Sequence, residues 1–415
     1  MAITATDIVK APWLSFGAWP REITEEFQVI RQQLLTAMTQ GQQRDRTGNY
    51  ESVATVILSN LLAPHSEVYR WRSSRSHVLN GGEFDNPAQL TQSQVIKTIK
   101  AVMELGWIEP IDFNLVNELI PGKAANRFAI TDTCPRLADP LVITYHPNSN
   151  FVFCRRDPLF EGFENEEGNW GYAEEEVIRD RALLQRYNAM ISNTVLSLDG
   201  NVLAHSSPLR RLFKEDDEGR VYRNGRFFGG AWQNMRKVDR PRLLIDGQRT
   251  VELDFSAMFP RALYHSLGME YEGDPYEIGG LDRKLWKAVF QIALNASKQG
   301  RNTALRNKLD KDFREENELQ DQVRRVRSDP KHYFQVLENY HPQLAGHLYD
   351  RRTSDQLMWR ESKVAKRLLT WAVQVNTPLL PIHDSFIVTV DQRGELEAGM
   401  RMSYRDEFGF NPVIR

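Results

Sequence analysis

Two aspartates, each at the end of an apolar run rich in β-forming residues, have surroundings suited to binding a metal ion. The first, Asp254, closes the segment TVELD, where Val251 and Leu253 alternate with acidic positions as in a half-buried strand. Pro260 and Gly268 then suit the start and the end of a helix. A carboxylate between a strand end and a helix N-terminus can hold a metal ion beside backbone amides that bind phosphate. Taken alone, Asp254 fits a plain helix cap as well.

The second aspartate, Asp384, lies in the segment TPLLPIHDSFIVTVD, where two apolar runs flank His383, Asp384 and Ser385. This pattern predicts a hairpin with the polar triplet at its turn. Beside the Asp254 strand, such a turn would complete a pair of carboxylates for Mg²⁺, which prefers oxygen ligands and takes one or two carboxylates alongside substrate phosphates. Two ions held in this way can activate a hydroxyl and stabilise a leaving pyrophosphate. A polar turn without chemistry has the same local pattern.

A basic helix is expected between the two aspartates in sequence. In LDRKLWKAVFQIALNASKQGRN, Leu285 and Val289 fall on one face, and Arg283, Lys287 and Gln291 fall on the opposite face. Because like charges four residues apart destabilise a helix slightly, this pair indicates a polyanionic ligand such as a triphosphate. Simple solubility is the alternative explanation.

Length and composition limit the class of protein that carries these residues. A chain of 415 residues, 41% of them hydrophobic, is long enough for two or three domains. No apolar run approaches the roughly 20 residues of a membrane span, and the first residues lack a secretory pattern. With only Cys134 and Cys154, neither a disulfide framework nor a multi-cysteine zinc site is available. We therefore expect a cytoplasmic protein with no membrane partner.

Charge is distributed unevenly along a chain whose net charge is only -2. Basic residues outnumber acidic ones between Arg210 and Arg242, and no acidic residue occurs between Arg283 and Lys308. Locally basic stretches of a nearly neutral chain favour a surface that binds a polyanion such as nucleic acid. Solvated faces of ordinary elements are the alternative.

The first third of the chain has the pattern of a small helical unit followed by a hairpin. Residues 51–63 are apolar enough for a buried helix, and a second helix is expected to begin after Thr91 or Ser93. A strand at residues 107–108 can then pair with residues 127–131. This order predicts a winged-helix module, which binds duplex DNA or another protein. A domain that only packs against the rest of the chain fits the pattern equally well.

The segments around Asp254, Arg283 and Asp384, taken in this order, resemble motifs A, B and C of the family A polymerase superfamily. That superfamily contains bacterial DNA polymerase I and the single-subunit phage and mitochondrial RNA polymerases. Asp254 matches the metal-binding aspartate of motif A. Arg283 and Lys287 match the Arg-x3-Lys of motif B. His383 and Asp384 match the His-Asp turn of motif C.

The resemblance covers roughly residues 180–415 and implies an α+β right-hand polymerase, with an antiparallel palm sheet and helical fingers and thumb. We divide the chain into a mostly helical, winged-helix-like domain at 1–140, a linker and thumb-like template-primer-binding region at 141–245, and palm and fingers at 246–415. The segment GRFFGGAWQNM occupies the place of template and primer contacts, and the basic stretch around it would follow the backbone. The expected nucleic-acid-binding residues are Arg210, Arg211, Arg226, Gln233, Arg236 and Lys237.

Two departures from the superfamily bear on the choice of nucleotide. Motif B carries Asn295 and Ala296 in place of Tyr-Gly, so an aromatic contact to the templating base pair is missing. Phe259 follows Asp254 by five residues, where family A DNA polymerases have Glu and the RNA polymerases have a small residue. A bulky ring there would clash with a ribose 2′-hydroxyl and select deoxynucleotides. The HDSF of motif C, by contrast, is closer to the RNA polymerase branch.

The resemblance implies a DNA polymerase that extends a primer on a DNA template without a proofreading exonuclease, using deoxynucleoside triphosphates and two Mg²⁺ or Mn²⁺ ions. Asp254 and Asp384 would bind the ions, and Lys287 would also protonate the pyrophosphate. A single-subunit RNA polymerase or primase is one alternative, and a catalytically inactive winged-helix DNA-binding protein is another. The N-terminal domain would recruit DNA or a replication or mobile-element protein. The expected substrate-binding residues are Phe259, Arg283, Lys287, Gln291, Asn295 and His383.

Overall fold

The computed structural model of the chain describes residues 18–40, 50–62, 68–71, 90–112, 126–139, 141, 143–145, 151–156, 174–203, 208–215, 221–314 and 316–415. These residues form an α+β fold, which confirms that part of the predicted fold class, whereas the right-hand architecture and the winged helix stay predictions. They build two separate hydrophobic cores, one between Phe27 and Leu141 and one between Phe151 and Phe408. No helix in these ranges combines the length and apolarity needed to cross a bilayer.

The N-terminal unit packs three helices against one another beside short strands. Its elements are α1 (Glu25–Thr39), α2 (Glu51–Leu62), α3 (Gln92–Glu104), β1 (Ala18–Pro20), β2 (Val68–Trp71), β3 (Ile108–Pro110), β4 (Asn126–Ile130) and β5 (Ile143–Tyr145). Helix α3 begins with a capping box, because Thr91 and Gln94 each accept a hydrogen bond from the backbone N–H of the other. The predicted strand pairing is confirmed, with Ile108 opposite Ile130 in the β3–β4 pair. The tip between these strands lies outside the described residues.

The described part of residues 151–245 adds one helix and several strands to the second core. Its elements are β6 (Val152–Arg156), α4 (Glu174–Ser192), β7 (Leu196–Leu198), β8 (Asn201–Val202), β9 (Arg210–Glu215), β10 (Val221–Phe228) and β11 (Leu243–Ile245). Strands β6, β9 and β10 form one sheet, whereas β7, β8 and β11 belong to the larger sheet that continues beyond residue 245. The division of the chain into domains at residues 140 and 245 stays a prediction.

The larger sheet positions both aspartates. Its remaining strands are β12 (Gln248–Asp254), β13 (Leu380–Ile382) and β14 (Ser385–Thr389), and its order is β13-β14-β12-β11-β7-β8. The predicted alternation is seen in part, since Leu253 is buried and Asp254 is half-buried, whereas Val251 and Glu252 are both half-buried. Strand β12 pairs antiparallel with β14, and Asp254 lies opposite Ser385. The predicted hairpin is also confirmed, with His383 and Asp384 between β13 and β14. A slip of one residue would turn the apolar positions outward, so the alternation determines this register.

Helices cover the sheet and enclose the space beside it. They are α5 (Met258–Ser266), α6 (Arg283–Asn295), α7 (Arg301–Asp312), α8 (Gln320–Ser328), α9 (Pro330–Tyr340), α10 (Arg351–Gln374) and α11 (Arg393–Phe408). Helix α6 buries Leu285 and Val289, as its periodicity predicts, and Asp282 caps its N-terminus. Helix α10 packs across β10, α4 and α11. The arrangement of these helices as fingers and thumb of a right hand stays a prediction.

Candidate active site

Asp254 and Asp384 are brought together by the pairing of β12 with the β13–β14 hairpin. The backbone N–H of Phe255 donates to the Asp384 carbonyl oxygen at 3.1 Å. Burial, and then the charge of Asp384, raises the pKa of Asp254 from 3.8 to about 6. Burial likewise raises the pKa of Asp384. The carboxylate of Asp384 therefore lies close enough to Asp254 to disfavour the ionised form of Asp254.

This carboxylate pair fits a divalent cation that takes its other ligands from substrate and water. Among the described residues, no group of three or more His, Cys, Asp or Glu side chains is arranged to hold a metal ion. Mg²⁺ does not need such a cage, because it is commonly held by one or two carboxylates together with phosphates. The raised pKa of Asp254 favours a cation here, since a nearby positive charge would restore the ionised form. The identity and number of the ions stay predictions.

A cavity of about 930 Å³ lies beside the aspartates and gathers the three predicted motifs. Basic side chains outnumber carboxylates on its wall, so it suits a polyanionic ligand. The predicted catalytic and substrate-binding residues all line it, namely Asp254, Phe259, Arg283, Lys287, Gln291, Asn295, His383 and Asp384. Its basic side chains are Arg226, Lys237, Arg240, Arg283, Lys287, Lys308 and Arg415, and its carboxylates are Glu252, Asp254 and Asp384.

Arg283 and Lys287 reach the cavity from the first turns of α6. Arg283 Nε donates to Asp274 at 2.6 Å, and its guanidinium lies 5.0 Å from the centroid of the Tyr276 ring. Lys287 is exposed, and its positive charge lowers the pKa of Asp254. The two cations therefore differ, because Arg283 is held by an ion pair and Lys287 extends into the solvent of the cavity.

Phe259 forms part of the cavity wall at the start of α5. Its ring is half-buried, and the guanidinium carbon of Arg226 lies 5.3 Å from the ring centroid. Arg226 Nε in turn donates to Glu361 at 2.8 Å. Burial raises the pKa of Glu361 to about 7, although the charge of Arg226 acts in the opposite direction. The ring expected to exclude a 2′-hydroxyl is thus packed against a charged pair.

His383 occupies the hairpin turn in a left-handed conformation, with φ at 57°. Its ring meets the Phe228 ring edge-on, with centroids 5.4 Å apart. Burial, and then the charges of Arg226 and Arg240, lowers the pKa of His383 to about 4. The imidazole is therefore neutral at pH 7, and it can form hydrogen bonds with a substrate without acting as a cation.

Gln291 and Asn295 continue the cavity face of α6 beyond Lys287. Asn295 Nδ2 donates to the Gln291 carbonyl oxygen at 2.8 Å, and the Ser354 hydroxyl donates to Asn295 Oδ1 at 2.6 Å. The amide that replaces the motif B aromatic is thereby fixed by α10. A contact of either residue with a base pair stays a prediction.

One of the nucleic-acid contacts predicted between Arg210 and Arg242 is wrong. Arg211 is fully buried and ion-paired with Asp180, so it cannot contact a nucleic-acid backbone, and the prediction for it is wrong. The sequence misled because an arginine in a buried ion pair and one on a surface patch look the same in a charge run.

The other residues expected to contact nucleic acid differ in their surroundings. Arg226 and Lys237 line the cavity. Arg236 is largely exposed and donates to Asp239 at 2.7 Å, whereas Arg210 is half-buried. The Gln233 amide nitrogen donates to the carbonyl oxygens of residues 227 and 381, at 3.1 and 3.0 Å. The amide of Gln233 is therefore already used within the fold, and template contacts of these residues stay predictions.

Several residues of the cavity are not among those that the sequence predicts. Glu252 precedes Asp254 by two positions on β12, so the period of the strand already places both on one face. It accepts hydrogen bonds from the Ser385 hydroxyl at 2.7 Å and from Arg240 at 2.9 Å. Tertiary packing also brings to the wall three residues that no pattern in the sequence indicates: Tyr276, Met358 and Arg415.

Comparisons with known proteins add little to this geometry. No protein-family model matches the chain, and no curated protein matches it. Among solved structures, it is similar to the POL domain of Pol1 from M. smegmatis in complex with DNA primer-template and dNTP, at 12% identity and a TM-score of 0.25. The match covers 58% of this chain and 52% of that one, so the chain spans about half the length of that structure. A likeness this remote carries no argument about fold or function.

Proposed function

We propose that the chain is a template-directed DNA polymerase that extends a primer 3′-hydroxyl with deoxynucleoside triphosphates. One observation carries the proposal: Asp254 and Asp384 share a single cavity with Arg283 and Lys287. Phosphoryl transfer needs a place for metal ions beside a place for the phosphates that they bind, and this cavity offers both. The order of motifs A, B and C along the sequence supports the same function.

Each charged group has a role in this proposal that follows from its surroundings. Asp254 and Asp384 would hold Mg²⁺ or Mn²⁺ ions, which would supply activation of the hydroxyl and neutralisation of the pyrophosphate charge. Arg283 binds the triphosphate while Asp274 keeps its guanidinium in place. Lys287 binds the same phosphates and donates a proton to the leaving group. Catalysis then rests on positioning and electrostatics, with no covalent intermediate on the protein.

Recognition of the sugar, the base and the template involves the rest of the cavity. Phe259 excludes a ribose 2′-hydroxyl, and Gln291 and Asn295 lie beside the nascent base pair. Neutral His383 forms a hydrogen bond with the substrate. The template-primer backbone contacts Arg226 and Lys237 within the cavity and Arg210 and Arg236 outside it, which makes binding salt-dependent. The N-terminal unit binds duplex DNA or a replication or mobile-element protein.

Extension of a labelled DNA primer on a DNA template in Mg²⁺ tests this proposal. Deoxynucleotides and ribonucleotides are supplied in parallel to the wild type, to Asp384→Ala and to Asp391→Ala. Asp391 is an exposed aspartate just beyond β14, so its variant is the matched control. We expect template-matched extension with deoxynucleotides by the wild type and Asp391→Ala, and no measurable extension by Asp384→Ala.

Other outcomes would change the proposal in defined ways. Extension with ribonucleotides would place the chain among RNA polymerases or primases, which the HDSF segment favours. Binding of the duplex without any extension would instead indicate a DNA-binding protein with an inactive site. Extension by Asp384→Ala would remove that residue from the metal site.

A further inference from the structure

An ion pair joins the wall of the cavity to the residues buried behind it. Arg226 comes from β10 and Glu361 from α10, and their side chains are 20% and 3% exposed. Arg226 Nε and Nη2 both donate to Glu361 Oε2, at 2.8 and 2.5 Å. The two hydrogen bonds to one carboxylate oxygen fix the position of both side chains.

The guanidinium of Arg226 is also in contact with the ring expected to select the sugar. Its carbon lies 5.3 Å from the centroid of Phe259, a distance typical of a cation–π contact. Phe259 lies two residues after Ala257. The backbone turns sharply at Ala257, where φ is 53°, just before the residue whose ring forms part of the cavity wall. The position of the ring is therefore limited by the chain on one side and by Arg226 on the other.

A second, much smaller cavity connects the ion pair to the motif C turn. Its volume is about 10 Å³, and Arg226, Glu361 and His383 are among the residues that line it. Glu361 Oε1 and His383 Nδ1 are buried, and neither has a hydrogen-bond partner among the described residues. Both residues line this cavity, so Glu361 lies close to the turn that carries Asp384.

From these contacts we propose that Glu361 is a positioning residue for sugar selection, which holds Phe259 in the cavity wall through Arg226. The inference rests on the proposed polymerase function. Glu361 does not line the larger cavity, whereas Arg226 and Phe259 both do, so Glu361 acts on the substrate through them. Without the carboxylate, Arg226 is free to follow substrate phosphates, and the ring of Phe259 loses the group that packs behind it.

The test compares Glu361→Gln with the wild type in the ratio of kcat/KM for a deoxynucleotide to kcat/KM for the matching ribonucleotide. Glutamine keeps the shape of the side chain and removes the charge that binds Arg226. We expect this selectivity to fall by about tenfold, a coupling typical of residues in contact. Arg226→Lys, which loses the paired donors, is a second variant with the same expected direction. In a Phe259→Ala background, Glu361→Gln should lower the selectivity no further.

Glu407→Gln is the matched control, because Glu407 is also a nearly buried carboxylate held by arginines. It is paired with Arg360 and Arg367 at 3.1 Å each and with Lys363 at 3.6 Å, and it does not line the cavity. Unfolding midpoints of all variants separate general destabilisation from a change in selectivity. Undiminished selectivity in Glu361→Gln and Arg226→Lys, from a wild type that does discriminate, would overturn this inference alone. A wild type that extends no primer would reject the proposed function and this inference with it.

Discussion

The N-terminal unit and the cavity around Asp254 both bury polar groups, but they satisfy them in different ways. In the N-terminal unit, most buried polar side chains are neutral and bond to their own helix, as Ser59 does to the Thr55 carbonyl oxygen at 2.7 Å. Around the cavity, several buried or half-buried groups are ionisable. Burial raises the pKa of Asp254 to about 6 and that of Glu361 to about 7, and it lowers the pKa of His383 to about 4.

This contrast separates a region built for stability from one that is prepared for a ligand. A polar group that bonds locally stabilises its helix and needs nothing further. At Asp254, burial opposes the ionised form that the carboxyl group takes at pH 7, so this group weakens the folded state until a positive charge lies beside it. In the proposed function, the metal ions held by Asp254 would supply this positive charge.

The largest expected effect comes from replacing one buried phenylalanine by alanine in each of the two regions. Phe128 on β4 and Phe386 on β14 are 0% and 1% exposed, so Phe→Ala at either position should cost about 3–5 kcal/mol of stability. Phe386 follows Asp384 by two residues and packs against Phe255, with ring centroids 6.3 Å apart. We expect only Phe386→Ala to slow primer extension per folded molecule, because the void that it leaves lies behind the aspartates.

The measurement combines denaturant unfolding with extension rates at a temperature where both variants stay folded. Equal losses of rate would mean that the N-terminal unit takes part in the reaction. An unchanged rate in Phe386→Ala would mean that the sheet does not hold Asp384 tightly.

Local periodicity in the sequence predicts much of the site. The alternation around Leu253 places Asp254 at a strand end, and the apolar runs around Asp384 place that residue at a hairpin turn. The helical period puts Arg283 and Lys287 on one face of α6. These features depend on neighbours within one element, so a single sequence contains the information.

Contacts between residues far apart in the sequence cannot be predicted from local periodicity. The side chains of Arg226 and Glu361 meet although 135 positions separate them, and no spacing rule indicates that contact. Arg211 has the sequence pattern of a surface residue because its partner, Asp180, lies on another element. A charge is visible in the sequence, but its burial depends on which elements pack together.

A smaller effect, on nucleotide binding, is expected from removing the positive charge of one lysine in the cavity wall. Lys287→Met keeps the length of the side chain and deletes the charge, which should weaken nucleotide binding by about 2 kcal/mol, or roughly thirtyfold in KM. Lys284→Met is the control, since Lys284 is on the same helix but donates to Glu316 at 2.8 Å. Steady-state kinetics with a deoxynucleotide distinguish the two. Equal KM values for both variants would place the phosphates elsewhere.

The smallest expected effect is on stability. Asp254→Asn removes a residue that the proposed function needs, and yet it should increase the free energy of unfolding. Asp254 has a pKa of about 6 in the folded chain against an ordinary 3.8, so the folded state binds more protons between these values. Its contribution to stability therefore falls as the pH rises from about 4 to about 6. Asp254→Asn should stabilise the protein above pH 6, by about 1 kcal/mol once solvent screening in the open cavity is allowed for, and the gain should vanish near pH 4.

Thermal unfolding of Asp254→Asn and the wild type across this pH range, with and without Mg²⁺, measures the effect. Mg²⁺ should raise the unfolding temperature of the wild type more than that of the variant, because the ion binds the folded state through the carboxylate that the variant lacks. The Asn variant should then lose its advantage at pH 7 once the ion is added. A gain that persists in saturating Mg²⁺ would mean that Asp254 is strained for a reason other than metal binding. A variant that is less stable than the wild type at pH 7 would mean that the ionised carboxylate is already well compensated within the fold.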